Sequence, residues 1–255
     1  MTSKQTLAMI VGGSTGMGLE TARQLVAEGR DVLIVARDPN KLQQAKESLE
    51  GPGSVETLSV DLYDPSQVDG LIAKIDAENR HIDQLVNSAG YFKPTPFLDH
   101  TKSDYDTYLD LNRSTFFVTQ AVARNMQANG GGAIVNIGSM WAQQAIKATP
   151  SSAYSMGKAG LHSLTQHLAM ELAEFSIRVN AVSPAVVVTP IYGAFIEPDK
   201  IEETLQGFND FHPIGRVGRP SDIASIITTL LSDEKSGWVT GAVWDVDGGI
   251  MSGRN

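Results

Sequence analysis

The apolar positions in the first half of the chain alternate between short continuous runs and stretches with helical spacing. Residues 7–11 and 32–36 are apolar throughout, as expected of strands buried on both faces of a parallel sheet. Residues 17–28, which separate them, place apolar side chains three and four positions apart, which predicts a helix. The same alternation predicts further strands at 55–60 and 82–87 and further helices at 39–49, 65–78 and 103–127.

The second half of the chain continues this alternation. Its predicted strands are 133–137, 177–182 and 242–246, and its predicted helices are 152–174 and 221–232. Seven strands alternating with helices indicate an α/β fold, a doubly wound parallel sheet with helices on both faces. No linker or repeat interrupts the pattern, so we expect residues 1–255 to form a single domain. The long connection 189–215 is rich in proline and glycine, which predicts a lid or substrate loop with a short helix near 199–206.

Composition narrows the classes of function. The net charge is −9 and the 20 Lys and Arg residues are scattered, which argues against a nucleic-acid partner. The chain has no cysteine and its five histidines lack ligand spacing, so we expect no metal site. His162 and His167 are expected on a helix surface. No apolar run reaches the roughly 20 residues that span a bilayer, so we expect no membrane partner and a cytoplasmic location.

A glycine-rich turn joins the first predicted strand to the first helix. Its glycines at Gly12, Gly16 and Gly18 would let the backbone turn tightly and approach a pyrophosphate at the helix N-terminus. The alternative is an ordinary tight turn with close packing of helix on strand. The spacing does not match the phosphate loop of nucleotide triphosphatases.

The end of the second predicted strand suggests which dinucleotide would bind. NAD-binding domains usually place an acidic residue there for the ribose 2′-hydroxyl, whereas this chain has Ala36 followed by Arg37. An arginine can hold a 2′-phosphate by paired, charge-assisted hydrogen bonds, which favours NADP. Asp38 is interpreted as the cap of the next helix. The alternative for Arg37 is a solvated surface arginine.

Tyr154 and Lys158 are four residues apart and would share one helix face. An ammonium beside a phenol favours the phenolate, and lowering a tyrosine pKa from about 10 to about 7 requires roughly 4 kcal/mol. Taken alone, the pair is more typical of a solvated helix face. A catalytic interpretation therefore depends on the other parts of a proton-transfer site.

Those other parts are present, and together they resemble the short-chain dehydrogenase/reductase family almost from end to end. The matching elements are the Gly12–Gly18 loop, Asp61 in Val60-Asp61-Leu62, Asn87-Ser88-Ala89-Gly90, Asn112, Ser139, the Tyr154/Lys158 pair, the segment from Arg178 to Pro184 followed by Thr189, Gly215 to Pro220, and Val246-Asp247-Gly248-Gly249. The resemblance implies a Rossmann fold, and with Arg37 it implies NADP (NADPH) as cofactor.

The resemblance also implies roles for individual residues. The implied catalytic residues are Asn112, Ser139, Tyr154 and Lys158. The implied cofactor-binding residues are Gly12, Ser14, Thr15, Gly16, Met17, Gly18, Arg37, Asp61, Leu62, Asn87, Ala89, Gly90, Tyr154, Lys158, Pro184, Val187 and Thr189.

The chemistry of these residues fits transfer of a hydride between NADP(H) and a carbonyl or secondary alcohol substrate. Ser139 can donate a hydrogen bond to the substrate oxygen, and Tyr154 can act as general acid, or as general base in the reverse direction. Lys158 would lower the tyrosine pKa and bind the nicotinamide ribose, and Asn112 would relay protons through water. The alternative function is a catalytically idle NADP-binding sensor or scaffold.

Three departures from the family pattern bear on specificity. Ser139 and Tyr154 are fifteen residues apart, where the family usually has about thirteen, and Ala185 and Ser88 replace a usual glycine and asparagine. The predicted substrate-lining residues are Trp141, Gln144, Ile191 and Tyr192, with gap filling as an equal alternative for Trp141. A small-molecule carbonyl such as a 3-oxoacyl compound or a cyclic ketone is expected, since the chain resembles 3-oxoacyl reductase-like members.

The family also forms oligomers through two long helices. In this chain they correspond to 103–127 and 152–174, and Leu161, Leu164, Leu168 and Leu172 fit either such a contact or ordinary core. A homo-oligomer, dimer or tetramer, is expected.

Overall fold

The computed structural model describes residues 5–147 and 149–253. In this part of the chain seven strands form one parallel sheet: β1 (Thr6–Val11), β2 (Val32–Ala36), β3 (Val55–Ser59), β4 (His81–Asn87), β5 (Gly132–Ile137), β6 (Ile177–Pro184) and β7 (Val243–Val246). The helices are α1 (Gly16–Ala27), α2 (Pro39–Ser48), α3 (Pro65–Asp76), α4 (Lys102–Asn129), α5 (Ser152–Leu172), α6 (Ile201–Gln206), α7 (Pro220–Leu231) and α8 (Asp233–Ser236). The predicted fold class is confirmed.

The strand order is β3-β2-β1-β4-β5-β6-β7. The chain builds the sheet outward from β1 to β3 and then returns to the other side of β1 with β4. The order therefore reverses between β1 and β4, where Val11 is paired with Asn87. Open α/β sheets bind ligands beyond the carboxyl ends of the strands at such a reversal.

Each face of the sheet buries its own hydrophobic core. Side chains alternate along a strand, so Leu7 and Met9 of β1 face one side while Ala8 and Ile10 face the other. The first side packs against α3, α4 and α5, and the second against α1, α2 and α7. Helices on both faces explain why β1 is apolar at five consecutive positions.

Several element boundaries differ from the predicted ones. β6 runs on to Pro184 because Ser183 and Pro184 pair with β7, a contact that the sequence pattern does not reveal. α5 ends at Leu172 and continues as a 3₁₀ turn to Phe175, so the predicted end at 174 combined two elements. α4 extends to Asn129 and stops at Gly130, whose φ of 105° lies in the left-handed region.

The helix N-termini are of two kinds. Asp38 and Asp64 accept backbone hydrogen bonds at the starts of α2 and α3, and Thr101 forms a capping box with Asp104 on α4. α1 follows Thr15, whose side chain makes no capping hydrogen bond, and its first turn has no acidic residue. The backbone N–H groups at the start of α1 are therefore left for another acceptor.

The two long helices expose part of their apolar surface. Leu161 is buried, and Leu168 and Leu172 pack against the core on the α5 side, so for these three the core interpretation is confirmed. Phe116 and Phe117 of α4 are 42% and 41% exposed. The expected homo-oligomer stays a prediction. No helix in the described part of the chain is long and apolar enough to cross a membrane.

Candidate active site

A cleft of about 1030 Å³, measured out to its open mouth, lies at the carboxyl edge of the sheet. One wall is formed by Met17, Ser88, Gly90, Pro184, Val187 and Thr189, and its floor by Ile137, Gly138, Ser139, Tyr154 and Lys158. The other wall is mostly apolar: Phe92, Pro94, Trp141, Thr149, Ala185, Val186, Ile191, Tyr192, Phe195, Ile196, Leu205 and Phe208. Met17, Gly90, Tyr154, Lys158, Pro184, Val187 and Thr189 belong to the predicted cofactor set, and here they line one cleft.

Tyr154 and Lys158 lie one turn apart near the start of α5, as their spacing predicts. Lys158 Nζ is 5.8 Å from the centre of the Tyr154 ring and donates a hydrogen bond of 2.6 Å to the carbonyl oxygen of Ile137. The Tyr154 ring packs edge-on against Phe92, with 4.8 Å between ring centres. These contacts fix both side chains against the end of β5.

Ser139 follows β5 and starts a short 3₁₀ turn, Met140–Ala142. Its Oγ accepts a hydrogen bond of 3.3 Å from the Trp141 backbone N–H. The Ser139 hydroxyl lies near enough to the Tyr154 phenol to lower the pKa of that phenol. Ser139 is 4% exposed, and both residues line the floor of the cleft.

Burial dominates the protonation of this pair. Desolvation raises the pKa of the Tyr154 phenol to about 12, although the hydrogen bond to Ser139 opposes the rise. Desolvation lowers the pKa of Lys158 to about 8. The expected lowering of the tyrosine pKa by Lys158 is therefore not found in the protein alone, where Tyr154 is neutral near pH 7.

Asn112 lies on α4 and donates a hydrogen bond of 3.0 Å from Nδ2 to the carbonyl oxygen of Gly157. Beside it is a small open cavity, which also borders Asn87, Tyr154 and Lys158 and leaves about 20 Å³ for the centre of a water molecule, against about 220 Å³ in the large cleft. A cavity of this size has room for about one water molecule. The buried Oδ1 of Asn87 has no partner within the described residues and could accept a hydrogen bond from such a water.

His162 corrects an expectation from the sequence. It was expected on a helix surface, but it is 9% exposed and its Nε2 accepts a hydrogen bond of 3.3 Å from the Ser139 backbone N–H. A Cβ atom on Gly138 would lie 2.0 Å from the same nitrogen, so the imidazole fills the place of a side chain there. Burial, with a smaller effect of Lys158, lowers the pKa of His162 to about 4. His162 is thus a neutral support beneath Ser139.

A chain of buried polar groups connects β4, β5 and α5, and the sequence reasoning missed it. Asn87 Nδ2 donates 2.8 Å to Asn136 Oδ1, and Asn136 Nδ2 donates 2.9 Å to Thr165 Oγ1. Asn87 and Asn136 are direct partners in neighbouring strands. A polar residue at the same place in two apolar strands is the signal that could have revealed the pair. These hydrogen bonds fix α5, and with it Tyr154, relative to the strand ends.

The glycine turn has the geometry that its sequence predicts. Gly12 and Gly16 have φ of 84° and 56°, a region that disfavours other residues. A Cβ on Gly12 would lie 2.4 Å from the Ala89 nitrogen, and one on Gly18 would lie 2.5 Å from the Gly12 oxygen. One on Gly16 would lie 3.3 Å from Thr189. The turn therefore packs tightly on the strand ends and leads directly to the uncapped start of α1.

The remaining predicted cofactor residues follow the strands on that side. Arg37 is exposed after β2 and forms no salt bridge within residues 5–147 and 149–253. Asp38 Oδ1 accepts hydrogen bonds of 2.9 and 3.2 Å from the N–H groups of Asn40 and Lys41, so its interpretation as a helix cap is confirmed. Asp61 Oδ1 accepts 3.0 Å from the Tyr63 N–H. The carbonyl oxygen of Leu62 accepts 2.6 Å from Ser114, while Ser14 and Thr15 precede α1.

The predicted substrate residues are only partly brought together. Trp141, Ile191 and Tyr192 line the cleft, but Gln144 does not. Gln144 follows the 3₁₀ turn after Ser139, and the preceding Gln143 turns toward Ser183 and Asp245. Phe92 was missed. Its only signal in the sequence is an aromatic pair, Tyr91-Phe92, directly after the Asn87–Gly90 element.

Comparison with known proteins identifies the family of the chain. The profile of the enoyl-(acyl carrier protein) reductase family matches residues 11–251. A 3-oxoacyl-(acyl-carrier-protein) reductase, FabG, of Thermotoga maritima is 33% identical over 248 residues, which cover 96% of this chain and 97% of that protein. A solved structure described as a short chain dehydrogenase/reductase family protein is 33% identical, with a TM-score of 0.84 over 98% of this chain and all of the other.

The chain belongs to the short-chain dehydrogenase/reductase family, whose members are nicotinamide-dependent oxidoreductases acting on alcohol and carbonyl groups. Another structural relative is the L-sorbose reductase of Gluconobacter frateurii, solved with NADPH and L-sorbose. It is 28% identical, with a TM-score of 0.87 over 98% of each chain.

Proposed function

We propose that this protein reduces a ketone, or oxidises the matching secondary alcohol, with NADP(H) as cofactor and Tyr154 as the proton-transfer group. One observation carries the proposal. Ser139, Tyr154 and Lys158 all line one open cleft, where Ser139 lies near enough to lower the pKa of the Tyr154 phenol and Lys158 lies beside the tyrosine ring. A binding protein without catalysis has no need for this set of donors.

The nucleotide side of the cleft fits a dinucleotide. The start of α1 has backbone N–H groups without a side-chain cap, and Gly12 and Gly16 leave its approach free of side chains. Such a terminus suits a pyrophosphate. A nicotinamide cofactor, when bound, supplies or accepts the hydride, and Lys158 and Thr189 are the residues that would hold its nicotinamide end.

The preference for NADP rests on the end of β2. Arg37 is exposed and has no ionic partner in the described part of the chain, so it is free to bind a 2′-phosphate. The neighbouring carboxylate of Asp38 is occupied as the cap of α2 and would not compete for the ribose. A relative solved with NADPH supports this preference.

In the reductive direction, the Ser139 and Tyr154 hydroxyl groups would both donate to the carbonyl oxygen of the substrate. Charge that develops on this oxygen is stabilised by the two donors, and the phenol then delivers its proton. The raised pKa of Tyr154, about 12, keeps it protonated and ready to donate near pH 7. Lys158, whose pKa is about 8, is mostly cationic there and stabilises the phenolate that remains.

Reprotonation of Tyr154 would use the small cavity behind it. This cavity borders Asn112, Tyr154 and Lys158 and has room for about one water molecule. Asn112 would hold that water while its amide keeps the hydrogen bond to Gly157. In the oxidative direction the same groups act in reverse, and Tyr154 must first lose its proton.

The decisive experiment replaces Tyr154 with Phe and follows NADPH consumption with a panel of ketones. We expect kcat to fall by about 10³-fold or more, because proton transfer and one oxyanion donor are lost together. NADPH binding, followed by its fluorescence, should be retained. The matched control is Tyr105→Phe, since Tyr105 is 37% exposed on α4 and lines neither the cleft nor the small cavity. Full activity of the Tyr154 variant would refute the proposal.

A second experiment tests the cofactor preference. Arg37→Ala should weaken NADPH binding by about 2 kcal/mol, a typical value for a charge-assisted hydrogen bond, and leave NADH nearly unchanged. Dissociation constants for both dinucleotides measure this. Equal weakening of the two would contradict the assignment of Arg37 to the 2′-phosphate.

A further inference from the structure

We propose that the cleft takes a free, uncharged and largely apolar ketone, such as a cyclic ketone, or the corresponding alcohol. The lining and charge of the cleft exclude two other classes of substrate. One is a thioester carried by an acidic protein or a nucleotide, and the other is a sugar. The inference rests on the proposed function and identifies the substrate class of that site.

The wall that faces the reacting groups is aromatic. Phe92 lies at its centre, with ring-centre distances of 6.1 Å to Trp141, 6.2 Å to Tyr192 and 5.9 Å to Phe195. Its ring also meets that of Tyr154 at 4.8 Å. A substrate whose carbonyl reaches Tyr154 must therefore place its adjoining carbons against aromatic surface. Burial of apolar surface there is worth about 25 cal/mol per Å².

Polar groups are few on this wall. Lys158 is the only charged side chain among the described residues that line the cleft, and it already donates to Ile137. The Tyr192 hydroxyl bonds to the backbone of Val187 and is thereby occupied. The Trp141 indole N–H has no partner within the described residues and offers one donor. A polyhydroxylated substrate would therefore replace only a few of the hydrogen bonds to water that it loses here.

The segment that provides much of the apolar wall is negatively charged on its exposed side. Residues 189–215 provide much of the apolar wall, and their outward positions hold five exposed carboxylates against one lysine. The carboxylates belong to Glu197, Asp199, Glu202, Glu203 and Asp210. The lysine, Lys200, is already paired with Glu197 at 2.6 Å. A phosphate-bearing or acidic carrier would approach against this field.

The inferred substrate class differs from the substrates named for two of the chain's relatives. The FabG relative is named for a substrate on a carrier protein, and the sorbose reductase was solved with a sugar. α6 shows how one segment of this chain can be apolar toward the cleft and negatively charged toward solvent. Leu205 turns into the cleft wall, whereas Glu202 and Glu203 are exposed on the same short helix. The helix thus presents apolar surface inward and negative charge outward.

The test compares four carbonyl compounds, each with NADPH and with NADH: 2-tetralone, acetoacetyl-CoA, the acetoacetyl thioester of N-acetylcysteamine, and L-sorbose. The two thioesters share the reacting group and differ in the charged nucleotide. We expect kcat/KM for 2-tetralone to exceed that for acetoacetyl-CoA and L-sorbose by about a hundredfold. We also expect the uncharged thioester to react faster than its CoA counterpart.

A higher kcat/KM for acetoacetyl-CoA or L-sorbose than for 2-tetralone would overturn the inference and leave the proposed function standing. No turnover of any compound with either cofactor would overturn the proposed function, and the inference with it. A variant that adds a positive charge to the apolar wall tests the substrate preference independently. Phe195→Arg should raise the ratio of acetoacetyl-CoA to 2-tetralone turnover about tenfold, whereas Trp238→Arg, at a fully exposed position, should leave the ratio unchanged. An unchanged ratio in the Phe195 variant would also count against the inference.

Discussion

The two walls of the cleft are built in different ways. The nucleotide wall is the set Met17, Ser88, Gly90, Pro184, Val187 and Thr189 that we propose binds the cofactor. It comes from the ends of β1, β4 and β6, and the glycine turn next to it is shaped by the backbone. The carbonyl wall collects rings from three separate stretches, around Phe92, around Trp141 and along 189–215, which are mostly short 3₁₀ turns. Tyr154 and Ser139 lie where the two walls meet.

The difference shows which part of a site a sequence can predict. A turn that requires left-handed backbone or close approach demands glycine, and glycines at set distances from a strand end are visible in the sequence. A ring cluster requires only apolar residues of suitable size, and many arrangements satisfy that. The nucleotide wall should therefore be sensitive to single Cβ atoms, and the carbonyl wall to charge and shape.

The largest effect should come from Gly12→Ala. The new Cβ would lie 2.4 Å from the Ala89 backbone nitrogen and would force a side chain into φ near 84°. We expect the free energy of unfolding to fall by about 3 kcal/mol or more, measured by urea denaturation.

The matched control for this variant is Gly130→Ala. Gly130 also has a positive φ, of 105°, but nothing lies within 4 Å of its Cβ position. Gly130→Ala should lower the free energy of unfolding by about 1 kcal/mol, because only the backbone conformation is unfavourable there. Equal losses for the two variants would show that close packing of the glycine turn is not what makes the nucleotide wall rigid.

The meeting point of the walls should respond to pH through His162. Its pKa is about 4 in the folded protein against an ordinary value of 6.5, so below pH 6.5 the unfolded chain binds more protons. Stability contributed by the neutral imidazole is present above pH 6.5 and is lost as the pH falls through about 4. His162→Gln should reduce the stability lost between pH 7 and pH 5 by about 1–2 kcal/mol.

Thermal unfolding at the two pH values measures this difference. His167→Gln is the matched control, because His167 lies five residues further along α5 and is exposed. The stability that the His167 variant loses between pH 7 and pH 5 should equal the loss in the unchanged protein. An acid sensitivity that survives in the His162 variant would mean that another group titrates at the meeting point.

The smallest effect on stability is expected from removing a helix cap, and it tests whether Asp38 also binds the nucleotide. Asp38→Ala and Asp64→Ala each remove two backbone hydrogen bonds at a helix start, so each should lower the free energy of unfolding by less than the Gly12 substitution does. Neither should weaken NADPH binding, since the carboxylate of Asp38 is only a cap. Weaker NADPH binding in the Asp38 variant alone would assign that carboxylate to the nucleotide wall.

The outcome for the sequence-based predictions follows the same division. The seven parallel strands, the glycine turn and the Tyr154/Lys158 face were predicted correctly, because each depends on local periodicity or spacing. Trp141 was placed in the cleft but Gln144 was not confirmed there, and Phe92 was missed. His162 was assigned to the surface because its helix position alone does not reveal that β5 ends beside it at Gly138. Contacts between distant segments are what the sequence pattern leaves open.

The strand order has a consequence for synthesis of the chain. β1 lies inside the sheet between β2 and β4, yet about 45 residues separate the end of β2 from the start of β4. At roughly 5–20 residues per second, a ribosome needs on the order of seconds to add them. During that interval one edge of the apolar strand β1 is without its partner and open to other chains. Slower translation or a destabilised β4 should therefore increase aggregation of the nascent protein before any loss of stability in the finished one.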